Sequence, residues 1–220
     1  MAHSDEALRR YYDQRASVYD DMYLRRDPMW RKDLESLADE MAKALSGRSV
    51  LEVACGTGFW TEIVAKTAKR VVAVDSSEKM LELARKRKKR SAIVEYVHCD
   101  AYSLEEISSK FDAGLANFWF SHVPKSRIEE FLCGFHNRLE RSAIVFMADN
   151  RYVPGIGGQL ITKLGIEDTF KLRECSDGSK HEVLKNYYDR DALEQLFTSQ
   201  ASDLKIHEMQ YFWSVQYMVT

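Results

Sequence analysis

The segment Val50–Thr61, VLEVACGTGFWT, joins a short apolar run, a glycine turn and the start of a helix. Gly56 can take the tight turn and Gly58 lets the backbone approach a bound group, because neither carries a side chain. A dinucleotide fingerprint would need a third glycine where this chain has Thr61. Glu52, four residues before Gly56, would repel a pyrophosphate but can receive the ammonium of an amino-acid ligand, directly or through water. Asp75 stands 17 residues beyond Gly58, at the end of the next apolar run. There a carboxylate can accept hydrogen bonds from two ribose hydroxyls; the plainer alternative is that it caps the following helix.

Glu52 with Cys55, Gly56, Thr57 and Gly58 resembles the E-x-x-C-G-x-G motif of class I S-adenosylmethionine-dependent methyltransferases of the small-molecule type, and Asp75 matches that family's second acidic position. The resemblance is specific from about Val50 to Asn117 and extends as architecture from about Arg9 to the C-terminus. It implies S-adenosylmethionine as cofactor and S-adenosylhomocysteine as product, with Ala54, Gly56, Thr57 and Gly58 at the methionine and ribose and Ser76 beside Asp75. HCDAYSL resembles the adenine-binding segment, which nominates Asp100 for the amino group and Ala101 for a backbone contact. Met80 would pack on adenine or fill the core. FDAGLANFWFSHVP resembles the strand that lines the cofactor and opens to the acceptor, which brings in Asn117, Phe118 and His122.

Acceptor chemistry has to be sought outside that motif. The Asp/Asn-Pro-Pro-Tyr/Phe signature of nucleic-acid amino methylation is absent, since the corresponding strand ends Asn117-Phe118-Trp119-Phe120. The tyrosine-rich YYDQRASVYDDMY, Tyr11 to Tyr23, resembles the helical cap of small-molecule methyltransferases, with Tyr19 the foremost contact and Tyr11 and Tyr23 behind it. Such a cap excludes water and can place a phenol hydroxyl by the acceptor. His122 is the candidate general base, because an imidazole of ordinary pKa is partly neutral near pH 7; a nucleophile already reactive would need none. Trp119 and Tyr187 are candidate aromatic walls, Asp149 a receptor for an amine, and Arg151 a fork for a carboxylate or phosphate, unless Asp149 and Arg151 pair in a loop. The leading expectation is methyl transfer to a small-molecule N, O or S nucleophile. RNA or protein methylation, SAM chemistry without methyl transfer, and a SAM-binding scaffold are the alternatives.

These residues need a frame. Apolar runs at 49–54, 71–74, 93–97, 111–117 and 142–148 alternate with helical stretches at 59–69, from a cap at Ser76 or Ser77 to about 90, and at 125–139, with a helical turn near 104–107. That alternation predicts a doubly wound α/β fold around a mostly parallel seven-stranded sheet, its last strand antiparallel. An N-terminal helical arm, 4–23, and a helix at 29–45 stopped by Gly47 precede it. Gly155–Gly165 reads as a mobile wall or a dimer surface, and segments 170–174 and 182–185 as an added hairpin around CSDGSKH. Helix 189–197 and an antiparallel pair at 203–208 and 211–219 complete one domain over 1–220, with residues 1–46 as cap and first helix and 151–188 as a substrate-side insertion.

The 220 residues, 45% hydrophobic and 30% charged, suit one globular core, and the net charge of -2 supplies no field toward nucleic acid. Arg85 to Arg90, RKRKKR, is the strongest basic run and could touch RNA phosphates, and the end of a helix is an alternative home for it. The four cysteines are too far apart for a Cys-x-x-Cys site, so no metal is expected. The first ten residues lack the apolar run of a signal peptide, and no window reaches the length of a membrane span. A cytoplasmic protein without integral membrane association, monomer or homodimer, is expected.

Overall fold

A computed structural model describes residues 2–24, 27–87, 93–175 and 178–220, with side chains from Leu8 onward. Helix α1, Ala2–Arg15, runs into a 3-10 segment, Ala16–Leu24, and helix α2 spans Pro28–Ala44. Asp27 starts α2 by accepting from the backbone N–H of Met29 at 2.9 Å and of Trp30 at 3.0 Å, with Pro28 supplying a preset φ in the first turn. The buried Trp30, Leu34, Leu37 and Met41 then recur at helical spacing and turn one face of α2 to the sheet.

The alternation continues as β1 (Ser49–Val53), α3 (Phe59–Val64), β2 (Arg70–Asp75), α4 (Glu78–Lys86), β3 (Val94–His98), β4 (Phe111–Asn117), α5 (Ile128–His136) and β5 (Leu139–Asn150). Beyond β5 come β6 (Leu160–Lys163), β7 (Ile166–Glu174), β8 (Lys180–Leu184), α6 (Arg190–Phe197), β9 (Ala201–Glu208) and β10 (Phe212–Val219). The main sheet is ordered β3-β2-β1-β4-β5-β10-β9, parallel through β5, with β10 antiparallel to both its neighbours. Consecutive β1 residues feed opposite sides: Leu51 and Val53 join Phe120, Phe131, Phe197 and Trp213, whereas Val50 joins Trp30, Leu37, Met41 and Trp60. A sheet buried on both faces needs near-continuous apolar strands, which is how β1, β2 and β4 read.

The expected fold class is observed, with several boundaries moved. The described part of α4 ends at Lys86, capped at its start by Ser77 rather than by Asp75; residues 88–92, which include the end of the basic run, lie outside the described residues. A separate 3-10 turn at Lys125–Arg127 precedes α5. Strand β5 is longer than its apolar run because β4 pairs with it at Leu139 and β10 pairs with it as far as Asn150. The added hairpin is instead a three-stranded antiparallel sheet, β6-β7-β8, since the glycine-rich stretch continues into β6 and pairs with β7. Nor is that stretch a loose wall: the buried Lys171 donates to the carbonyls of Ile156 and Gly158, which pins it to β7.

Gly114, mid-β4, packs directly under α5: a Cβ there would lie 2.6 Å from Phe135 Cζ and 3.0 Å from Leu139 Cδ1. Gly114→Ala is therefore expected to cost about 1–3 kcal/mol through overpacking. Thermal unfolding should register this as a drop of several degrees in Tm, and an unchanged Tm would contradict the packing.

Candidate functional site

Four strand ends meet at one edge of the sheet. Ala54, just after β1, and Phe118, just after β4, both take left-handed conformations (φ 54° and 59°) that cost a non-glycine residue of order 1–3 kcal/mol. Gly56 takes φ 55° in the turn after β1, and its N–H donates to Asp75 Oδ2 at 2.8 Å, so the end of β2 holds the turn after β1. Asp75 Oδ1 accepts from the Ser77 N–H at 2.8 Å. Burial raises the Asp75 pKa to about 6, against those two hydrogen bonds. Each carboxylate oxygen keeps a lone pair for a ligand hydroxyl.

A cavity of about 360 Å³ opens over this edge. It is within the size range of small-molecule sites. Its lining follows the sheet order: Asp75, Ser76, Met80, Asp100 and Ala101 come after β2 and β3, Ala54 and Gly56 after β1, and Asn117 and Phe118 from the end of β4, beside which Tyr12, Tyr19 and His122 are shared with an adjoining chamber. These include most of the residues expected to hold the cofactor. Asn117 Oδ1 is buried with no hydrogen-bond partner among the described residues, an acceptor suited to a ligand ammonium. An adenosine group could therefore sit between Asp75, Met80 and Asp100, with an amino-acid tail toward Asn117.

Three of the motif residues work beneath the cavity rather than on its wall. Glu52 is buried under the turn, where desolvation raises its pKa to about 8. Thr57 turns its hydroxyl to Asp20, at 2.6 Å. Gly58 is needed for packing: a Cβ would meet the Tyr96 hydroxyl at 2.9 Å and Ala84 Cβ at 3.0 Å, so its missing side chain lets α4 and β3 close in.

The cap is fastened to this edge at three points. Arg87 donates to Asp20, to the Thr57 carbonyl at 2.7 Å and to Glu62 at 3.4 Å, joining the cap to the glycine turn. Ser77 donates to Asp13 at 2.5 Å. Tyr12 is paired with His122 Nε2 at 2.7 Å. Because His122 Nδ1 lies 2.7 Å from the Leu184 carbonyl, which can only accept, Nδ1 carries the proton and Nε2 accepts from Tyr12. Burial, with the nearby Lys185 cation, lowers the His122 pKa to about 3. The imidazole is thus a fixed neutral acceptor, and the ordinary pKa behind its expected role as a base does not survive folding.

The acceptor candidates separate in space. Tyr19 lines the main cavity and a side chamber of about 50 Å³ that also has Tyr11, Tyr12, Arg15, Phe118, His122, Asn150, Arg173 and Lys185 on its walls. Tyr23 is core: it stacks on Phe59 at 3.9 Å and accepts from Trp60 Nε1 at 3.2 Å. Trp119 lines the main cavity near Ala101, edge-on to Tyr102. Asp149 is fully buried and accepts from Lys185 Nζ at 2.8 Å, the Ser121 N–H at 2.9 Å and the Asn150 N–H at 2.7 Å, which leaves no approach for an amine. Burial opposes its ionisation, yet the adjoining Lys185 holds its carboxyl below the usual range. Arg151 donates to the Met209 carbonyl at 2.6 Å and pairs with Glu208 at 3.4 Å; with Tyr187 it borders a farther chamber of about 100 Å³.

Tyr12, Arg15, Arg173 and Lys185 are site residues that the sequence pattern alone does not single out. Tyr12, Arg15 and Tyr19 recur at three and four residues, a helical signal available in the arm. Arg173 and Lys185 carry no such signal, because strand pairing and the ion pair to β5 bring them in.

A mostly parallel sheet of this order with one antiparallel strand, a glycine turn after β1 and an acidic residue closing β2 agree with the architecture expected from the resemblance to class I methyltransferases. Residues 50–142 match the family described as a methyltransferase domain. Demethylmenaquinone methyltransferase of Clavibacter sepedonicus is 34% identical over 128 residues, 55% of this chain and 50% of the relative. The chain therefore spans about half the length of the demethylmenaquinone methyltransferases it matches. An uncharacterized methyltransferase, YrrT, of Halobacillus halophilus is 24% identical over 209 residues, 93% of this chain and 94% of its own. Among solved structures, DhpI in complex with SAH superposes with a TM-score of 0.80 at 23% identity, covering 100% of this chain and 98% of that one. DhpI with SAM and HEP gives 0.77 at 23% identity, covering 97% of each.

The His122 ring is expected to stay neutral from pH 9 down to pH 5, since its folded pKa lies near 3. Its unfolded pKa is about 6.5, so the unfolded chain takes up the proton first and stability falls as pH drops below about 6.5. Long-range ¹H–¹⁵N spectra should show a constant Nδ1–H tautomer over that window. A titration midpoint near 6.5 would contradict this geometry.

Proposed function

We propose that the protein binds S-adenosylmethionine along the main cavity and transfers its methyl group to a small-molecule N, O or S nucleophile enclosed by the cap. The observation that carries this reading is the continuity of one cavity from Asp75, Met80 and Asp100 to Tyr12, Tyr19 and His122. When bound, the cofactor supplies an electrophilic methyl on a sulfonium, open to in-line displacement. Asp75 accepts from ribose hydroxyls, Asp100 from the adenine amino group, and Asn117 Oδ1 from the ammonium, while Met80 packs on the base. At the other end Tyr12, Tyr19 and Phe118 exclude water and hold the acceptor in line, the source of much of the rate in such a displacement. His122 is a positioning residue: it takes the Tyr12 proton as a hydrogen bond and leaves the phenol oxygen's lone pairs for the acceptor. Residues 1–46 act as cap and first helix and 151–188 as the acceptor-side insertion.

Methylation of RNA draws less support. Of the basic run, Arg85 is paired with Glu78 and Arg87 is occupied by Asp20, Glu62 and the Thr57 carbonyl, Lys86 is exposed, and 88–90 lie outside the described residues.

Incubation with methyl-labelled SAM and cell extract, separated into metabolite and macromolecular fractions, should place label on a metabolite. Asp75→Asn should weaken SAH binding about ten-fold or more in calorimetry, the usual scale for a hydrogen bond to a charged group. Label on RNA or protein alone would overturn the acceptor assignment. Undiminished SAH binding by the variant would overturn the cofactor site.

A further inference from the structure

The side chamber between the cap and β7–β8 carries more positive charge than its neighbours cancel. Its charged walls are Arg15, Arg173 and Lys185, and no carboxylate lines it among the described residues. Lys185 is spoken for, since Asp149 and the Ser121 hydroxyl take its ammonium at 2.8 Å and 2.6 Å. Arg15 commits one N–H to the Tyr11 hydroxyl at 2.6 Å and has no carboxylate partner among the described residues. Arg173 has no ion pair among the described residues, and its guanidinium lies over Gly157, where a Cβ would stand 3.0 Å from Nη1. Glycine at 157, with φ 77°, thus leaves the fork the room it occupies. Both arginines are half-buried and also border the farther chamber, so they stand where the two spaces meet.

Two guanidiniums in a partly desolvated pocket repel one another and any cationic ligand, and they attract an oxyanion through charge-assisted, two-pronged hydrogen bonds. A volume of about 50 Å³ has room for roughly four water-sized groups, the size of a carboxylate or tetrahedral oxyanion head. Tyr12, Tyr19, Phe118 and His122 are shared with the main cavity, so a group held by the arginines lies next to the transfer end. The neutral His122 in this cationic setting is a poor proton acceptor, which suits an acceptor that brings its own negative charge.

We infer that the methyl acceptor is a small organic acid whose carboxylate or phosphate-type oxyanion is gripped between Arg15 and Arg173. The inference rests on the proposed SAM site, because that site says which end of the main cavity the chamber serves. It moves the anion-binding role anticipated for Arg151 to Arg173, because Arg151 is held by Glu208 and the Met209 carbonyl.

The test uses the full chain saturated with SAH, its affinity first measured by calorimetry. Arginine Nε–H signals, assigned with Arg15→Lys and Arg173→Lys, are then followed by NMR during titration with methylphosphonate, acetate and, as a control, methylammonium. Saturable shifts of the Arg15 and Arg173 signals with at least one oxyanion, and none with methylammonium, are expected. Arg173→Met should weaken that binding about ten-fold or more while SAH affinity stays within two-fold, and Arg173→Lys should restore part of it. Tighter binding of methylphosphonate would assign a phosphate-type head, and tighter binding of acetate a carboxylate. If SAH fails to bind, the cofactor reading and this inference both fall. If SAH binds but neither oxyanion saturates, or methylammonium shifts the same signals, only the anionic acceptor is overturned.

Discussion

A buried ion pair ties the acceptor side of the molecule to the sheet. Asp149 at the end of β5 and Lys185 just beyond β8 meet at 2.8 Å, and both also hold Ser121, one through its N–H and the other through its hydroxyl. Removing either partner would strand a charge away from water, at about 3–5 kcal/mol. Around the pair, Asn186 donates to the Val123 carbonyl and to Asp168, and the Leu184 carbonyl fixes the His122 ring. The added sheet, the segment after β4 and the histidine therefore form one unit. Tyr12 leans on that unit through His122, so the cap inherits its position from the same pair.

The opposite end of the cavity is organised by a different logic. There the Gly56 N–H and Asp75 lock the turns after β1 and β2 together, and the cap is pinned by Asp13 to Ser77 and by Asp20 to Thr57 and Arg87. Asp75 and Asp100, with Arg9, line the cavity proposed for the cationic cofactor, whereas Arg15 and Arg173 line the chamber beside it. That contrast of charge between two adjoining cavities favours a single orientation for the two proposed reactants.

How much of this the sequence discloses depends on how local the cause is. The strand-turn-helix from Val50 to Thr61 and the placement of Asp75 are local, and β1, β2 and β4 lie almost where their apolar runs put them. The uses of Gly58 and Thr57 were not legible, because Tyr96, Ala84 and Asp20 reach them from elsewhere in the chain. Asp149 and Arg151 looked available because their partners, Lys185 and Glu208, lie 36 and 57 residues away. His122 lost its ordinary titration for the same reason: burial by the cap and by β8 is a property of the assembled fold. Strand β6 was hidden by a glycine-rich approach that reads as loop until β7 is there to pair with it.

Everything proposed for the site depends on a direction: nucleoside at the Asp75 end, reacting sulfur at the tyrosine end. A crystal structure of the protein with SAH tests that direction most directly. Ribose hydroxyls on Asp75, adenine between Met80 and Asp100, the ammonium on Asn117 Oδ1 and the sulfur nearest Tyr12, Tyr19 and His122 are expected. Electron density for the base beneath the cap tyrosines, or for SAH outside this cavity, would contradict it.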